Sequence, residues 1–313
     1  MSSTRRPFLG VSPVLLLPFL AASCAVVVFG AGVPESTARS IRRHGPFLGV
    51  VVPNAFEMEP LLRSPRFSPA KGNQRPPYLD VAGRRFRFGT IGEQKVIIVM
   101  TGLAMRYGDG PNDELAFESN GDYTRSLGNL NFSDYTTNAS GNNNNNLLNA
   151  VWYQPEEVFP SNSGTPELRR HAFWVPVDAR YYDLVARELE GHVILEACVV
   201  AGGNGTAGTT TTACLPRRPV VATVERGCSA SVFVDNAAYR GFLRNRFGVT
   251  AIDMETAAVA LVAMQQGTPF VAVRALSDLA GGGSAGSNEA GVFAPLAAQN
   301  AVTVVVELIS LLN

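Results

Sequence analysis

Hydrophobic and polar positions resolve into consecutive elements most clearly between Thr250 and Gly283. Apolar residues at Met254, Ala258, Val259, Leu261, Val262 and Met264 predict a helix that begins near Asp253 and Glu255 and stops at Gly267, a residue suited to a left-handed cap. After Thr268-Pro269, the run Phe270-Val271-Ala272-Val273 has no polar alternation and predicts a strand covered on both faces of a parallel sheet. Its carboxyl end carries Arg274, Ser277 and Asp278, then Gly281-Gly282-Gly283. Ligands of open α/β sheets bind outside the carboxyl ends of strands, and glycines let a backbone approach closely, so Asp278 is the first candidate acid or base. Taken singly, Asp278, Asp253 and Glu255 have ordinary explanations as turn or first-turn carboxylates.

The same pattern recurs upstream. Phe47 to Val52 is a continuous apolar run ending at Pro53-Asn54 and followed by the helical start AFEMEPLL, so Glu57 and Glu59 also sit just past a strand end. YLDVA, RRFRFGTI and KVIIVM read as strands punctuated by Gly83 and Gly92-Glu93-Gln94. Pro176 to Leu189 predicts a helix starting near Asp178. Val193 to Val200 and Val220 to Glu225 read as strands, and SASVFVDNAAYRGFLRNRFG leads into a helix capped by Asp235 or Asn236. Residues 109–150, with five consecutive asparagines, read as a polar, irregular insertion. Leu147 to Phe159 predicts a short helix or buried turn around Trp152 and Tyr153.

Composition narrows the class. At 46% hydrophobic and 17% charged, 313 residues can bury a large core, and the natural reading is a single enzyme-sized α/β domain over 46–313. Lys plus Arg balances Asp plus Glu at 26 each, with no basic run, so the footprint of a nucleic-acid binder is missing and a small molecule is the expected partner. Arg5-Arg6 ahead of the apolar stretch Val11 to Phe29, with Pro13, Pro18 and small residues near Ala31, predicts a signal peptide over 1–31 rather than an uncleaved membrane anchor, and no other segment is expected to span a bilayer. Sequons at Asn131, Asn138 and Asn204 agree with a glycoprotein of the secretory pathway, extracellular or vacuolar. Cys198 and Cys214 flank a Gly/Thr-rich loop and are candidates for a disulfide; Cys228 is then a buried free thiol. Three isolated histidines give no metal site, and no cofactor is implied.

The strings DMETAA at 253–258 and VRALSD at 273–278, with PNAFEMEPLL, ERGCSASVFVDN and SDLAGGGSAGSNEAGVFAPLAAQNA, resemble the purine nucleoside phosphorylase and methylthioadenosine nucleosidase superfamily, most closely its plant bark storage protein-like branch. The resemblance implies a three-layer αβα sandwich around a mixed, mostly parallel sheet, and cleavage of the N-ribosidic bond of a purine nucleoside. That reaction builds a cationic, oxocarbenium-like sugar and expels a base that needs a proton. By resemblance, Asp278 is the general acid supported by Ser277, Glu57 activates water with Glu59 as runner-up, Met254 and Glu255 hold the ribose, and Phe233 stacks on the base. Arg274 faces the same end of the sheet. The rival implied by the same branch is a storage glycoprotein that kept the fold without catalysis. Family members are commonly oligomers, which makes a homo-oligomer an expectation here.

One departure from the family matters. This chain passes directly from Gly102-Leu103-Ala104-Met105 to Arg106-Tyr107-Gly108-Asp109, where the family has a loop, a helix and a core strand with a glycine-rich anion turn. The missing text is at least the size of a βαβ unit, roughly thirty residues. Since a phosphorylase needs that turn to hold phosphate, the expected nucleophile is water. Each backbone group orphaned by loss of an internal strand costs about 1 to 3 kcal/mol, so the short chain is either a sheet closed differently or an incomplete text.

Overall fold

Asn54 shows how local chemistry sets the first unit. The apolar strand β1 (Leu48–Val52), which follows helix α1 (Glu35–His44), ends at Pro53, and the Asn54 side chain accepts the Phe56 N–H at 2.8 Å to open α2 (Ala55–Arg63). β2 (Phe67–Pro69), β3 (Tyr78–Val81), β4 (Arg84–Ile91) and β5 (Gln94–Met100) complete a mixed sheet in the order β1-β5-β4-β2, with β3 also on β4. β1 and β5 are parallel, Leu48 opposite Val96 and Val52 opposite Met100, whereas β4 is antiparallel to β5. β1, β3, β4 and β5 and their turns lie where the sequence pattern places them, whereas β2 was not predicted. The computed structural model describes residues 35–71, 77–81, 83–102, 156–158, 170–201, 211–282 and 290–312; the signal-peptide, insertion and sequon readings, Met105-Arg106, Trp152, Tyr153 and Gly283 lie outside them.

The remaining elements are β6 (Glu156–Val158), β7 (Arg170–Ala172), α3 (Ala179–Glu188), β8 (Cys198–Ala201), β9 (Thr211–Cys214), β10 (Gly227–Ser229), α4 (Ala237–Phe247), β11 (Ala251–Asp253), α5 (Thr256–Gln265) and α6 (Ala290–Leu311). Asp178 caps α3 by accepting from Arg180 N–H and Tyr181 N–H, and Asn236, not Asp235, caps α4 by accepting from Tyr239 N–H. β8 and β9 form an antiparallel hairpin joined by the Cys198–Cys214 disulfide. β6 and β7 pair antiparallel, so Glu156–Val158 is strand rather than the helix or buried turn predicted there. The parallel pair β10-β11 was not predicted, and it shifts the start of α5 to Thr256, with Glu255 as its N-cap residue. Gly267 does terminate that helix, at φ +63°.

Three predicted strands lack ladders. Residues 193–197, 220–225 and 270–273 have no strand pairing. They still alternate: Val193, Leu195, Val221, Val271 and Val273 pack against Val185 and Leu189 near α3 and Val304 and Leu308 of α6. Their opposite face is open, with Ile194 81% exposed and Ala272 exposed, so the expectation of cover on both faces of 270–273 is corrected. A strand exists as a strand only through neighbours that take up its N–H and C=O groups. For residue 196 a side chain does this instead. Asn300 of α6, 6% exposed, accepts the Glu196 N–H and donates to the Glu196 carbonyl, both at 2.9 Å.

α6 ties the two regions together. Val302, Val306 and Ile309 pack with Val50, Val52, Met58, Leu61, Ile91, Val96 and Ile98, while Val304 and Leu308 face the second cluster. Val292–Leu311 is long and apolar enough to cross a membrane by length and composition, which corrects the expectation that only the N-terminal stretch is. In this structure it is the helix about which both apolar clusters form. The result is an α/β fold with a mixed sheet flanked by helices.

Candidate functional site

Three segments meet at Arg274. Its Nε donates to Asp253 Oδ2 at 3.0 Å and Thr256 Oγ1 at 3.0 Å, and Nη2 donates to Glu255 Oε2 at 3.1 Å. The guanidinium thus joins the loop after Val273 to the end of β11 and the start of α5. All three charged side chains are largely withdrawn from water, where charge-assisted bonds are stronger than at a surface.

Asp253 is the most heavily bonded member. Ser229 Oγ at the end of β10 and Thr256 Oγ1 both donate to it, as do the N–H groups of Glu255 and Thr256 at 3.2 and 3.0 Å. Burial pushes its carboxyl up, but bonds from Ser229, Thr256 and Arg274 outweigh this and hold it below the usual range. Sequence reasoning treated Asp253 as a first-turn carboxylate. The signal that could have singled it out is the Ser229 hydroxyl placed opposite by the β10-β11 register.

Glu57, in the first turn of α2, reaches this cluster electrostatically. Burial pushes its carboxyl up, and neighbouring Arg274 draws it down while Glu255 pushes it further up. A raised carboxyl beside a cation is the condition of a base poised to take a proton. Two carboxylate oxygens in the cluster, Glu57 Oε2 and Glu255 Oε1, are buried and accept no hydrogen bond from the described residues. Buried acceptors without donors are rare in folded proteins, and here they offer places for ligand hydroxyls or water. The runner-up Glu59 instead forms an exposed ion pair with Arg63 at 3.1 Å.

Asp278 lies on the same loop as Arg274, and among the described residues its carboxylate takes one hydrogen bond, from Ser277 Oγ at 2.7 Å. The loop beyond it is gripped by α4: Asp235 accepts the Gly281 N–H at 3.0 Å, and Arg240 Nη1 donates to the Ala280 carbonyl at 2.6 Å. Gly281 has φ +80°, and a Cβ there would lie 2.0 Å from Ala237 N, so only glycine allows this contact. Met254 is half-buried beside Glu255, and Phe233, in the loop between β10 and α4, is 41% exposed. The structure therefore brings Glu57, Glu255 and Arg274 together, sets Asp278 and Ser277 on the adjoining loop, and leaves Phe233 without a recorded ring contact among the described residues. The Cys228 thiol, pushed up to about 11 by burial and by neighbouring Asp253, is no nucleophile at neutral pH. Among the described residues no group of three metal-ligating side chains occurs.

Comparison with known proteins places the geometry in context. The model of the phosphorylase superfamily matches residues 143–310. The chain is 25% identical to bark storage protein A and 23% identical to bark storage protein B of Populus deltoides, in each case over 246 residues covering 67% of this chain and 73% of the relative. Among solved structures, it is similar to futalosine hydrolase of Helicobacter pylori, with a TM-score of 0.44 at 15% identity over 84% of this chain and 97% of the other. It is also similar to 5'-methylthioadenosine/S-adenosyl homocysteine nucleosidase of Campylobacter jejuni, with a TM-score of 0.42 at 16% identity over 86% and 100%.

Proposed function

The chain belongs to the phosphorylase superfamily, and from that premise we propose that it splits the N-ribosidic bond of a purine nucleoside by hydrolysis. The observation that carries this reading is the pair of buried acceptors, Glu57 Oε2 and Glu255 Oε1, that have no donor among the described residues, on two carboxylates that both feel the charge of Arg274. Glu255, with Met254 beside it, takes the sugar hydroxyls. Glu57, whose carboxyl is raised, takes a proton from the attacking water. Asp278, steadied by Ser277, delivers a proton to the leaving base, and Phe233 stacks on that base. Water rather than phosphate is favoured because Arg274, the cation of this cluster, is already engaged by two carboxylates.

The test is release of free base from adenosine, inosine or methylthioadenosine by the purified protein. Asp278→Asn is expected to lower it at least a hundredfold, in line with the worth of a general acid. Activity unchanged in that variant would remove Asp278 from the assignment.

A second reading is supported by the sheet. Among the described residues β1 is the terminal strand of its sheet although it is a continuous apolar run, and residues 193–197, 220–225 and 270–273 have no ladder. The alignment with the poplar proteins runs over 246 residues while taking in only 67% of 313, so part of its length comes from the relative alone. Both observations support a core segment missing between Met105 and Arg106. On this reading the short chain is a storage glycoprotein of the secretory pathway, glycosylated at Asn131, Asn138 and Asn204. Peptide mapping of the natural protein decides between them: a peptide joining Met105 to Arg106 favours storage, and longer peptides favour the nucleosidase on a whole sheet.

A further inference from the structure

We propose that Asp253 is a positioning residue for the sugar-binding carboxylate, acting through Arg274 on Glu255; this rests on the nucleosidase reading for its role in turnover, though not for its geometry. The hydrogen bonds run in one direction. Ser229 Oγ, Thr256 Oγ1 and two backbone N–H groups donate to Asp253, which fixes the plane of its carboxylate. That carboxylate takes Arg274 Nε, and the planar guanidinium then directs Nη2 at Glu255 Oε2. With Oε2 held, Glu255 Oε1 is left as a buried acceptor without a donor among the described residues.

Besides Glu255 itself, the side chains that hold Arg274 among the described residues are Asp253 and Thr256. Thr256 Oγ1 accepts from the same Nε but is itself oriented by donating to Asp253. Removing the Asp253 charge therefore frees both groups. A freed Arg274 still neutralises Glu255 and Glu57 but no longer fixes which Glu255 oxygen faces the sugar. Asp253 does not touch the reacting atoms, so its loss appears as reduced discrimination between sugars rather than as loss of the proton-transfer groups.

The experiment compares the whole chain with Asp253→Asn, Arg274→Ala, the double variant, and the milder Ser229→Ala, which removes one donor to Asp253. Two readouts are taken on protein of unchanged circular dichroism. The first is the ratio of kcat/KM for a purine ribonucleoside to that for its 2',3'-dideoxy analogue. It is expected to fall about tenfold in Asp253→Asn, to fall less in Ser229→Ala, and to fall little further when Asp253→Asn is added to Arg274→Ala. The second is labelling of Arg274 by a dicarbonyl reagent, read by peptide mass spectrometry, expected to speed up severalfold in Asp253→Asn and not in Asp278→Asn. An unchanged labelling rate, or losses that multiply in the double variant, overturns the proposal. If the unaltered protein releases no base, the nucleosidase reading falls by itself, and the labelling rate alone decides whether Asp253 holds Arg274.

Discussion

Replacing Asn300 by alanine removes both hydrogen bonds that stand in for a strand neighbour at Glu196. Each net hydrogen bond is worth about 1 kcal/mol. An N–H or C=O left buried without a partner costs about 1 to 3 kcal/mol. Because Glu196 lies on a segment whose other face is open to water, water can re-pair part of what is lost, and the lower end of that range applies. The expected loss is about 2 to 3 kcal/mol, a few degrees or more in Tm for a protein of this size. Urea unfolding followed by circular dichroism measures it directly. Asn300→Asp is a control, since it keeps the acceptor for Glu196 N–H but loses the donor and buries a charge, so it should be at least as damaging. A loss below about 0.5 kcal/mol in Asn300→Ala, the range of ordinary surface substitutions, would refute the claim that a side chain replaces a missing ladder here.

Other consequences can be checked at the site. The Asp253 carboxyl is held below the ordinary aspartate value of 3.8, so it contributes stability above that pH that is lost as pH falls through the lower folded value; acid titrations should show this loss diminished in Asp253→Asn. Glu57 is the opposite case: its carboxyl is raised above 4.5, so the folded state is disfavoured as pH rises through that raised value. Glu57→Gln should therefore be the more stable protein at neutral pH, with the difference vanishing below pH 4.5, as urea midpoints at several pH values would show. Gly281→Ala should push the 278–282 loop off α4, lowering stability by about 1 to 3 kcal/mol and lowering base release with it; normal activity would show that the loop's seat does not position Asp278.

Where local pattern and local chemistry agree, the structure was legible in the sequence. The β3 to β5 meander follows its alternation and its glycine turns, and Asn54, Asp178 and Asn236 cap the helices that follow them. The failures are non-local. Residues 193–197, 220–225 and 270–273 carry strand-like text, but pairing depends on which neighbours are present, and no window of sequence contains that information. β10 and β11 are three residues each, too short for periodicity to register. At the site, Glu57, Arg274, Ser277 and Asp278 stood out as polar groups just past expected strand ends, and Glu255 was singled out only through the DMETAA resemblance. Asp253 was not, because a carboxylate before a helix has a sufficient local explanation until its partners Ser229 and Arg274 are seen in space.

α6 presents Val302, Val306 and Ile309 to one apolar cluster and Val304 and Leu308 to the other. Neither cluster can therefore be dismantled without stripping one side of the same helix, and the two regions are coupled in unfolding although no continuous sheet among the described residues joins them. Heating or denaturant should give a single cooperative transition rather than two, with probes near Val50 and near Val185 losing their signals together. A helix used in this way makes cooperativity a property of one segment rather than of the sheet.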